Sequence, residues 1–245
     1  MSTPRIFSRE PLAANAVISV SGNAARHITR VLRLRAGDQV TLFDGSGYEF
    51  PATLQSVDKR SAELLCGEPR QSITESPLTT ELWQVIGKGP KMDTVIQKAT
   101  ELGVNTIRPL YSRYGVVKLD EQRAAKRIQH WQEVATSACE QCGRSIVPRV
   151  IAPEPLETAL GSLDSDATAV MLAPAAGDTL DTLVAEADKI VLLIGPEGGF
   201  SDEEQRLAAD AGVRGARLGP RILRTETAPL AALSVIQFLR GDLKQ

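Results

Sequence analysis

The chain has 245 residues, 42% of them hydrophobic and 24% charged, which suits two modest globular domains with an ordinary apolar core. Its formal net charge is −2. Its opening MSTPRIFSRE carries no apolar signal region, and no apolar run approaches the roughly 18 residues of a membrane helix. Secretory and membrane-spanning roles are set aside, and a soluble cytoplasmic protein with no membrane partner is expected.

Residues 1–70 read as mostly β. Alternating or β-branched runs at 17–20, 39–43, 50–57 and 62–66 are separated by turn signals, and Asp44-Gly45-Ser46-Gly47 is a hairpin signature. One helix is predicted over 23–32, with Ile28, Val31 and Leu32 on one face and Arg26, Arg30 and Arg33 elsewhere. Short strands with a single helix suggest a small barrel. Residues 1–72 hold nine basic and seven acidic side chains, a net of +2, whereas the remainder holds 19 and 23, a net of −4. Within 1–35, six arginines (Arg5, Arg9, Arg26, Arg30, Arg33 and Arg35) stand against one acid, Glu10. That excess reads either as a phosphate-facing patch or as a solvated helix face.

Residues 69–78 are polar, contain Pro69 and Pro77, and read as a linker between a domain 1–72 and a domain 73–245. From residue 80 strands and helices alternate. Strands are predicted at 82–86, 106–110, 167–172, 190–194 and 216–218. Helices are predicted at 92–102 with Gly103 as a stop, 121–142 with Gly143 as a stop, 180–187, 201–211 and 227–239. Ser201 with Glu204 three residues later forms a capping box, and Pro229 sits in the first turn of the last helix. Strands that are apolar throughout are buried on both faces, so this part is α/β with a parallel sheet, and ligands belong beyond the carboxyl ends of its strands.

Cys66, Cys139 and Cys142 do not make an even disulfide framework. Cys139 and Cys142 form a C-x-x-C, which reads as a metal knuckle, a redox pair or simply part of a helix in a reduced protein. A zinc site needs about four ligands, and Cys66, His27 and His130 alone are left to complete one. No metal is expected.

Two loops carry the chemistry. Ile194-Gly195-Pro196-Glu197-Gly198-Gly199-Phe200 follows the most apolar strand and precedes the capped helix. Such a unit turns backbone N–H groups towards a ligand, and its glycines allow close approach. No Walker or Rossmann glycine pattern is present, and the carboxylate of Glu197 would repel a phosphate. It better suits hydroxyl donors, an amine or a cation; a plain tight turn is the other reading. The second loop, Leu218-Gly219-Pro220-Arg221-Ile222-Leu223-Arg224-Thr225-Glu226-Thr227, also runs from strand to helix. Ile222 and Leu223 could wall a flat aromatic ring. Arg221 and Arg224 suit an anionic substrate, and Thr225 and Thr227 could equally be helix caps.

GPEGGFSDEE followed about twenty residues later by LGPRILRTETA resembles the signature of the RsmE family of ribosomal RNA methyltransferases. Gln97-Lys98-Ala99-Thr100-Glu101-Leu102-Gly103 resembles that family's first helix of the SPOUT domain, and Glu140-Gln141-Cys142-Gly143-Arg144 resembles its E-Q-C-G-R segment. Pro4-Arg5-Ile6-Phe7 and His27-Ile28-Thr29-Arg30-Val31-Leu32-Arg33 resemble its PUA-like RNA-binding domain. The match runs in order along nearly the whole chain.

The resemblance implies a SPOUT fold with a C-terminal deep trefoil knot behind a small PUA-like β-barrel. It also implies S-adenosylmethionine as cofactor, a homodimer through the knotted domain, and methylation of N3 of a uridine in small-subunit (16S) ribosomal RNA, free or in an assembled 30S particle. By position, Leu172 and Pro174 match the first knot loop. Ile194, Gly195, Glu197 and Gly198 match the second, and Leu218, Gly219, Ile222, Leu223 and Thr225 match the third. These are the expected cofactor contacts. Arg224 is the candidate for holding substrate, and Glu226 is a candidate either for taking the imide proton or, the favoured reading, for complementing the N-terminus of the last helix. Arg5, Arg9, Arg26, Arg30, Arg33, Arg144 and Arg221 are the candidates for gripping RNA. A ribose 2′-O-methyltransferase on the same scaffold, and a non-catalytic RNA-binding assembly factor, are the competing readings.

Overall fold

The computed structural model describes residues 3–58 and 60–244. Its contacts divide the chain into two compact units. The first holds the N-terminal residues up to Glu75 together with Cys139–Val147; the second holds Ser76–Ala138 and everything from Pro148 onward.

The first unit is built on strands β1 (Arg5–Phe7), β2 (Val17–Ser21), β3 (Gln39–Phe43), β4 (Tyr48–Val57), β5 (Ser61–Cys66) and β6 (Arg70–Gln71), with one helix, α1 (Gly22–Arg26). The sheet order is β1-β3-β4-β5-β2, with β6 on β4. Its pairings are antiparallel except β1 with β3. The two end strands, β1 and β2, send Ile6 and Val20 into one apolar core with Leu42, Phe50, Leu54 and Leu64, so the sheet curls around that core. A bulge between Leu54 and Ser56 in β4 supplies local bending. The Asp44–Gly47 turn joins β3 to β4 as expected; Gly45 and Gly47 sit at φ 89° and 86°, where a side chain is strained.

The helix predicted over 23–32 is α1 running into a π-helical stretch, His27–Val31, closed by Leu32 N–H donating to the His27 carbonyl at 2.9 Å. The widened turn breaks the 3.6-residue periodicity. Ile28 is fully buried, but Val31 is 65% exposed, off the face it was expected to share. The stretch predicted as a polar linker is also structured: β6 lies in it, and the Glu75 carboxylate accepts bonds from the backbone N–H of Ser145 and Ile146, both at 2.9 Å.

The second unit adds β7 (Thr79–Val85), α2 (Lys91–Glu101), β8 (Thr106–Tyr111), α3 (Glu121–Cys142), β9 (Arg149–Val150), β10 (Glu154–Pro155), α4 (Leu156–Gly161), β11 (Thr168–Leu172), β12 (Asp178–Thr179), α5 (Leu180–Val184), β13 (Lys189–Ile194), α6 (Asp202–Asp210), β14 (Arg214–Arg217) and α7 (Ala228–Arg240). The last turn of α3, from Cys139, belongs to the first unit. The sheet order is β10-β8-β7-β13-β11-β14-β12, with β9 on β8, and every pairing is parallel. β13 is central and buried from Ile190 to Ile194, as an unbroken apolar strand between helical layers must be. Among the described residues no helix is long and apolar enough to cross a membrane.

Candidate functional site

β11, β13 and β14 are neighbours in the sheet, so the loops leaving their carboxyl ends lie side by side. Between these loops is a cavity of about 550 Å³, a size that suits a small-molecule ligand. Leu172, at the end of β11, and Pro174, in the loop after it, line the cavity. Ile194, at the end of β13, lines it with Gly195, Glu197 and Gly198 of the following loop, and Leu218, Gly219, Ile222, Leu223 and Thr225 line it from the loop after β14. The structure therefore brings together all eleven residues named as cofactor contacts. Arg221 and Arg224 lie on the same wall, whereas Glu226 is not among the lining residues.

The loop after β13 is fixed by local chemistry. Gly199 N–H donates to the Pro196 carbonyl at 2.9 Å, with Gly199 at φ 71°, which makes a turn that favours glycine. A Cβ on Gly195 would sit 3.2 Å from two ring carbons of Phe200, so the backbone there runs close against the ring. α6 then starts with the predicted capping box: Ser201 Oγ accepts from Glu204 N–H at 3.3 Å, and the Glu204 carboxylate accepts from Ser201 N–H at 2.8 Å. The same buried carboxylate accepts from Arg113 N–H at 2.8 Å.

The loop after β14 is tied to the loop after β13 by Thr225. Its hydroxyl donates to the Gly195 carbonyl at 2.8 Å and accepts from Gln84 Nε2, on β7, at 3.1 Å. This excludes the helix-cap reading of Thr225; the α7 N-cap is Thr227, whose side chain makes no capping bond. Thr225→Val removes a buried donor and acceptor together. It is expected to cost about 1–3 kcal/mol of cofactor affinity or stability, read by calorimetry and thermal unfolding, with Thr225→Ser close to the parent.

A second tie is ionic. Lys91 Nζ, at the start of α2, lies 2.6 Å from Glu197 and 3.2 Å from Glu226. Its hydrogen bond with Lys91 is the main cause holding the Glu197 carboxyl below the usual range. The Glu226 carboxyl is also held down, first by a backbone hydrogen bond and then by Lys91 against some burial. Arg221 and Arg224 are exposed, and their side chains make no hydrogen bond or ion pair among the described residues. Sequence reasoning missed Gln84 and Lys91. The available signal for Lys91 was Gly87-Lys88-Gly89-Pro90-Lys91, a third glycine-containing loop between a strand and a helix.

The candidate RNA arginines divide. Arg26, Arg30 and Arg33 are exposed on or just after α1 and its π-helical extension, without side-chain partners among the described residues; Arg9 is exposed as well. Arg5 and Arg144 correct the expectation. The Arg5 guanidinium lies 5.0 Å from the Phe43 ring centre and donates to Glu49 at 2.7 Å, Ser145 Oγ at 2.9 Å and the Arg144 carbonyl at 3.0 Å. Arg144 is 3% exposed, and its Nε and Nη2 donate to Glu75 at 3.0 and 2.9 Å. Both are internal ties of the first unit and are not available to a phosphate.

The C-x-x-C is absorbed by the same network. Cys139 is fully buried, and burial pushes its thiol up to about 12, which suppresses the thiolate that metal binding or exchange needs. Glu140 accepts from Phe7 N–H at 3.0 Å. Among the described residues no group of three or more His, Cys, Asp or Glu could hold a metal ion.

Comparison with known proteins matches residues 74–237 to the RNA methyltransferase domain and residues 20–65 to the RNA methyltransferase PUA domain. The chain is 37% identical to ribosomal RNA small subunit methyltransferase E of Buchnera aphidicola subsp. Schizaphis graminum, over 98% of each chain. It is 34% identical to the protein of that name from Bacillus subtilis, covering 96% of this chain and 97% of the other. Among solved structures, ribosomal RNA small subunit methyltransferase E from Neisseria gonorrhoeae bound to S-adenosyl methionine superposes with a TM-score of 0.93 at 39% identity, over 99% and 100% of the two chains. A Legionella pneumophila methyltransferase in complex with bound SAM superposes with a TM-score of 0.95 at 38% identity, again over 99% and 100%.

Proposed function

The chain belongs to the ribosomal RNA small subunit methyltransferase E family, and from that premise we propose that it methylates N3 of a uridine in small-subunit ribosomal RNA. The activity is S-adenosylmethionine-dependent methylation of ribosomal RNA on an α/β SPOUT domain joined to a PUA domain. The observation that carries the reading is the convergence of three loops on one cavity.

The residues present fit the cofactor. Leu218, Ile222 and Leu223 offer an apolar wall for adenine, and Glu197 offers a carboxylate at the cavity for hydroxyl or amino donors. When bound, S-adenosylmethionine supplies an electrophilic methyl group. The chain's own groups then have to hold the nucleophile in line and stabilise the pyrimidine as its imide proton leaves. Arg224 is assigned to the substrate because its guanidinium is unpaired beside the cavity. Glu226, depressed and engaged by Lys91, is a weak base for an imide; its negative charge instead favours the N-terminus of α7. The N3 edge is the pairing edge, so the target base is unpaired or flipped out when it reacts.

A knot is part of the proposal. It is supported by the return of the chain after β14 across β11, the intervening strand, to bond Gly195 at the end of β13 and to pack α7 on α2 and α5. A homodimer is supported by Phe238 and Leu243, exposed apolar side chains at the end of the second unit. The target lies in free RNA or in the assembled small subunit.

The test is incubation of the purified chain with labelled S-adenosylmethionine and unmodified small-subunit RNA, free and in particles, followed by nucleoside mass spectrometry. N3-methyluridine is expected; a ribose-methylated nucleoside would refute the base assignment. For the first unit, the triple variant R26A/R30A/R33A is expected to flatten the log–log salt dependence of RNA affinity by about 3, one unit per lost phosphate contact. An unchanged slope by filter binding removes these arginines from the RNA surface.

A further inference from the structure

Five charged side chains surround the junction of the second and third loops with the start of α2. Lys91 occupies the middle, paired to Glu197 and to Glu226. Lys88 stands three residues before it on the Gly87–Pro90 loop, and Arg224 stands two residues before Glu226; both are exposed and unpaired among the described residues. The two carboxylates thus share one ammonium, while the two flanking cations remain open. The Lys91 stem packs beside Gly87. A Cβ at Gly87 would lie 3.4 Å from the Cβ and Cδ of Lys91 and 3.8 Å from the Thr225 methyl. Lys91 is also the first residue of an 11-residue helix, whose positive end adds to the attraction for both carboxylates.

We propose that Lys91 is a positioning residue that sequesters Glu197 and Glu226, so that Lys88 and Arg224 stay unpaired and available to the phosphates and base of the incoming RNA. The inference rests on the RNA methyltransferase reading above and adds Lys88 and Lys91 to it. Without the ammonium, two carboxylates face each other across the loop junction and each has a cation of its own to capture. Glu226 shares a turn with Arg224, whose backbone is already fixed because its carbonyl accepts from the N–H groups of Thr227 and Ala228 at 2.8 and 2.9 Å. Only the guanidinium is free to swing, and Glu226 is the nearest carboxylate in sequence.

The experiment uses the full chain and unmodified small-subunit ribosomal RNA. Lys91→Met is expected to weaken RNA binding about tenfold, the equivalent of about 1.4 kcal/mol, with a smaller loss of cofactor affinity by calorimetry because its partner Glu197 lines the cofactor cavity. Lys91→Arg retains the bridge and most of the RNA affinity. Adding Glu226→Gln to Lys91→Met is expected to recover part of the lost RNA affinity, because the captured arginine is released while Glu197 still holds Lys88. A lysine that merely braced the loops gives the opposite pattern: cofactor affinity falls in parallel, and the second substitution deepens the defect. That pattern, or unaltered RNA affinity in Lys91→Met, overturns the proposal. RNA binding is read separately from product, so absence of methylated product from the unsubstituted chain overturns the methylation reading alone.

Discussion

Arg224→Ala is expected to lower the single-turnover rate at saturating RNA and cofactor by about a hundredfold, the size of effect that loss of one donor to a developing anion produces. Cofactor affinity by calorimetry is expected to change far less, since the apolar part of the cavity wall, Leu218, Ile222 and Leu223, is untouched and the lost group acts on the reacting base. The structure makes this separation possible. The Arg224 side chain makes no hydrogen bond or ion pair among the described residues, while its backbone carbonyl receives Thr227 and Ala228 N–H. Truncation at Cβ therefore leaves the loop's internal bonds intact, including the Thr225 tie to Gly195. Arg224→Lys keeps a charge but loses the planar fork, so it recovers only part of the rate. An alanine variant that turns over normally removes Arg224 from the mechanism and leaves Arg221 and Lys88 as the cations to examine.

The parts of the site legible in the sequence are those written within a short window. Glycine and proline mark the two loops, an apolar run marks β13, and Ser201 with Glu204 marks the start of α6. Each is a local rule, and three such windows meet because parallel strands bring their carboxyl ends to one edge. What could not be read depends on contacts between distant positions. Gln84 reaches Thr225 across 141 residues, and Lys91 reaches Glu197 across 106. Neither residue type carries a signal of its own. The helix over 23–32 is present, but its apolar face differs for another reason: a π-helical turn has no composition signature, and it rotates Val31 out of that face. Two-residue strands such as β9 and β12 are too short for any periodicity.

The arginines teach the same lesson more sharply. In the sequence Arg5 and Arg26 belong to one basic cluster. In the fold Arg26 is exposed, whereas Arg5 lies over Phe43 and binds Glu49 and Ser145. Net charge counts both equally, although only a guanidinium without an internal carboxylate partner is free to neutralise a phosphate. The Cys139 and Cys142 pair likewise reads from the residues alone as a possible metal knuckle or redox pair. In the structure Glu140 holds Phe7 N–H, Cys139 donates to the Ile146 carbonyl, and Arg144 holds Glu75. A domain boundary drawn in residues 69–78 separates Arg144 from the strands it supports, because Cys139–Val147 folds with the first unit. Removing the N-terminal residues would strip the partners from a buried arginine, so point substitutions test RNA binding more cleanly than truncation.

Arg144→Met is therefore expected to act on stability and not on RNA contact. The Arg144 side chain is 4% exposed and that of Glu75 is 18%. Removing one member of such a pair leaves the other charge largely buried and uncompensated, at a cost of about 3–5 kcal/mol. Glu75→Ala is expected to be at least as damaging. The same carboxylate also accepts from Ser145 and Ile146 N–H, and its loss leaves two backbone donors without their bond along with the guanidinium. Urea unfolding followed by circular dichroism reads the loss directly. The double variant R144M/E75A is expected to fall short of the sum of the two single effects, since it removes both charges at once and leaves no isolated ion in the interior. RNA affinity per folded molecule, measured well below the unfolding transition, is expected to match the parent. A stable Arg144→Met chain that binds RNA several-fold more weakly would return Arg144 to the RNA surface and would require the Glu75 pair to open when RNA arrives.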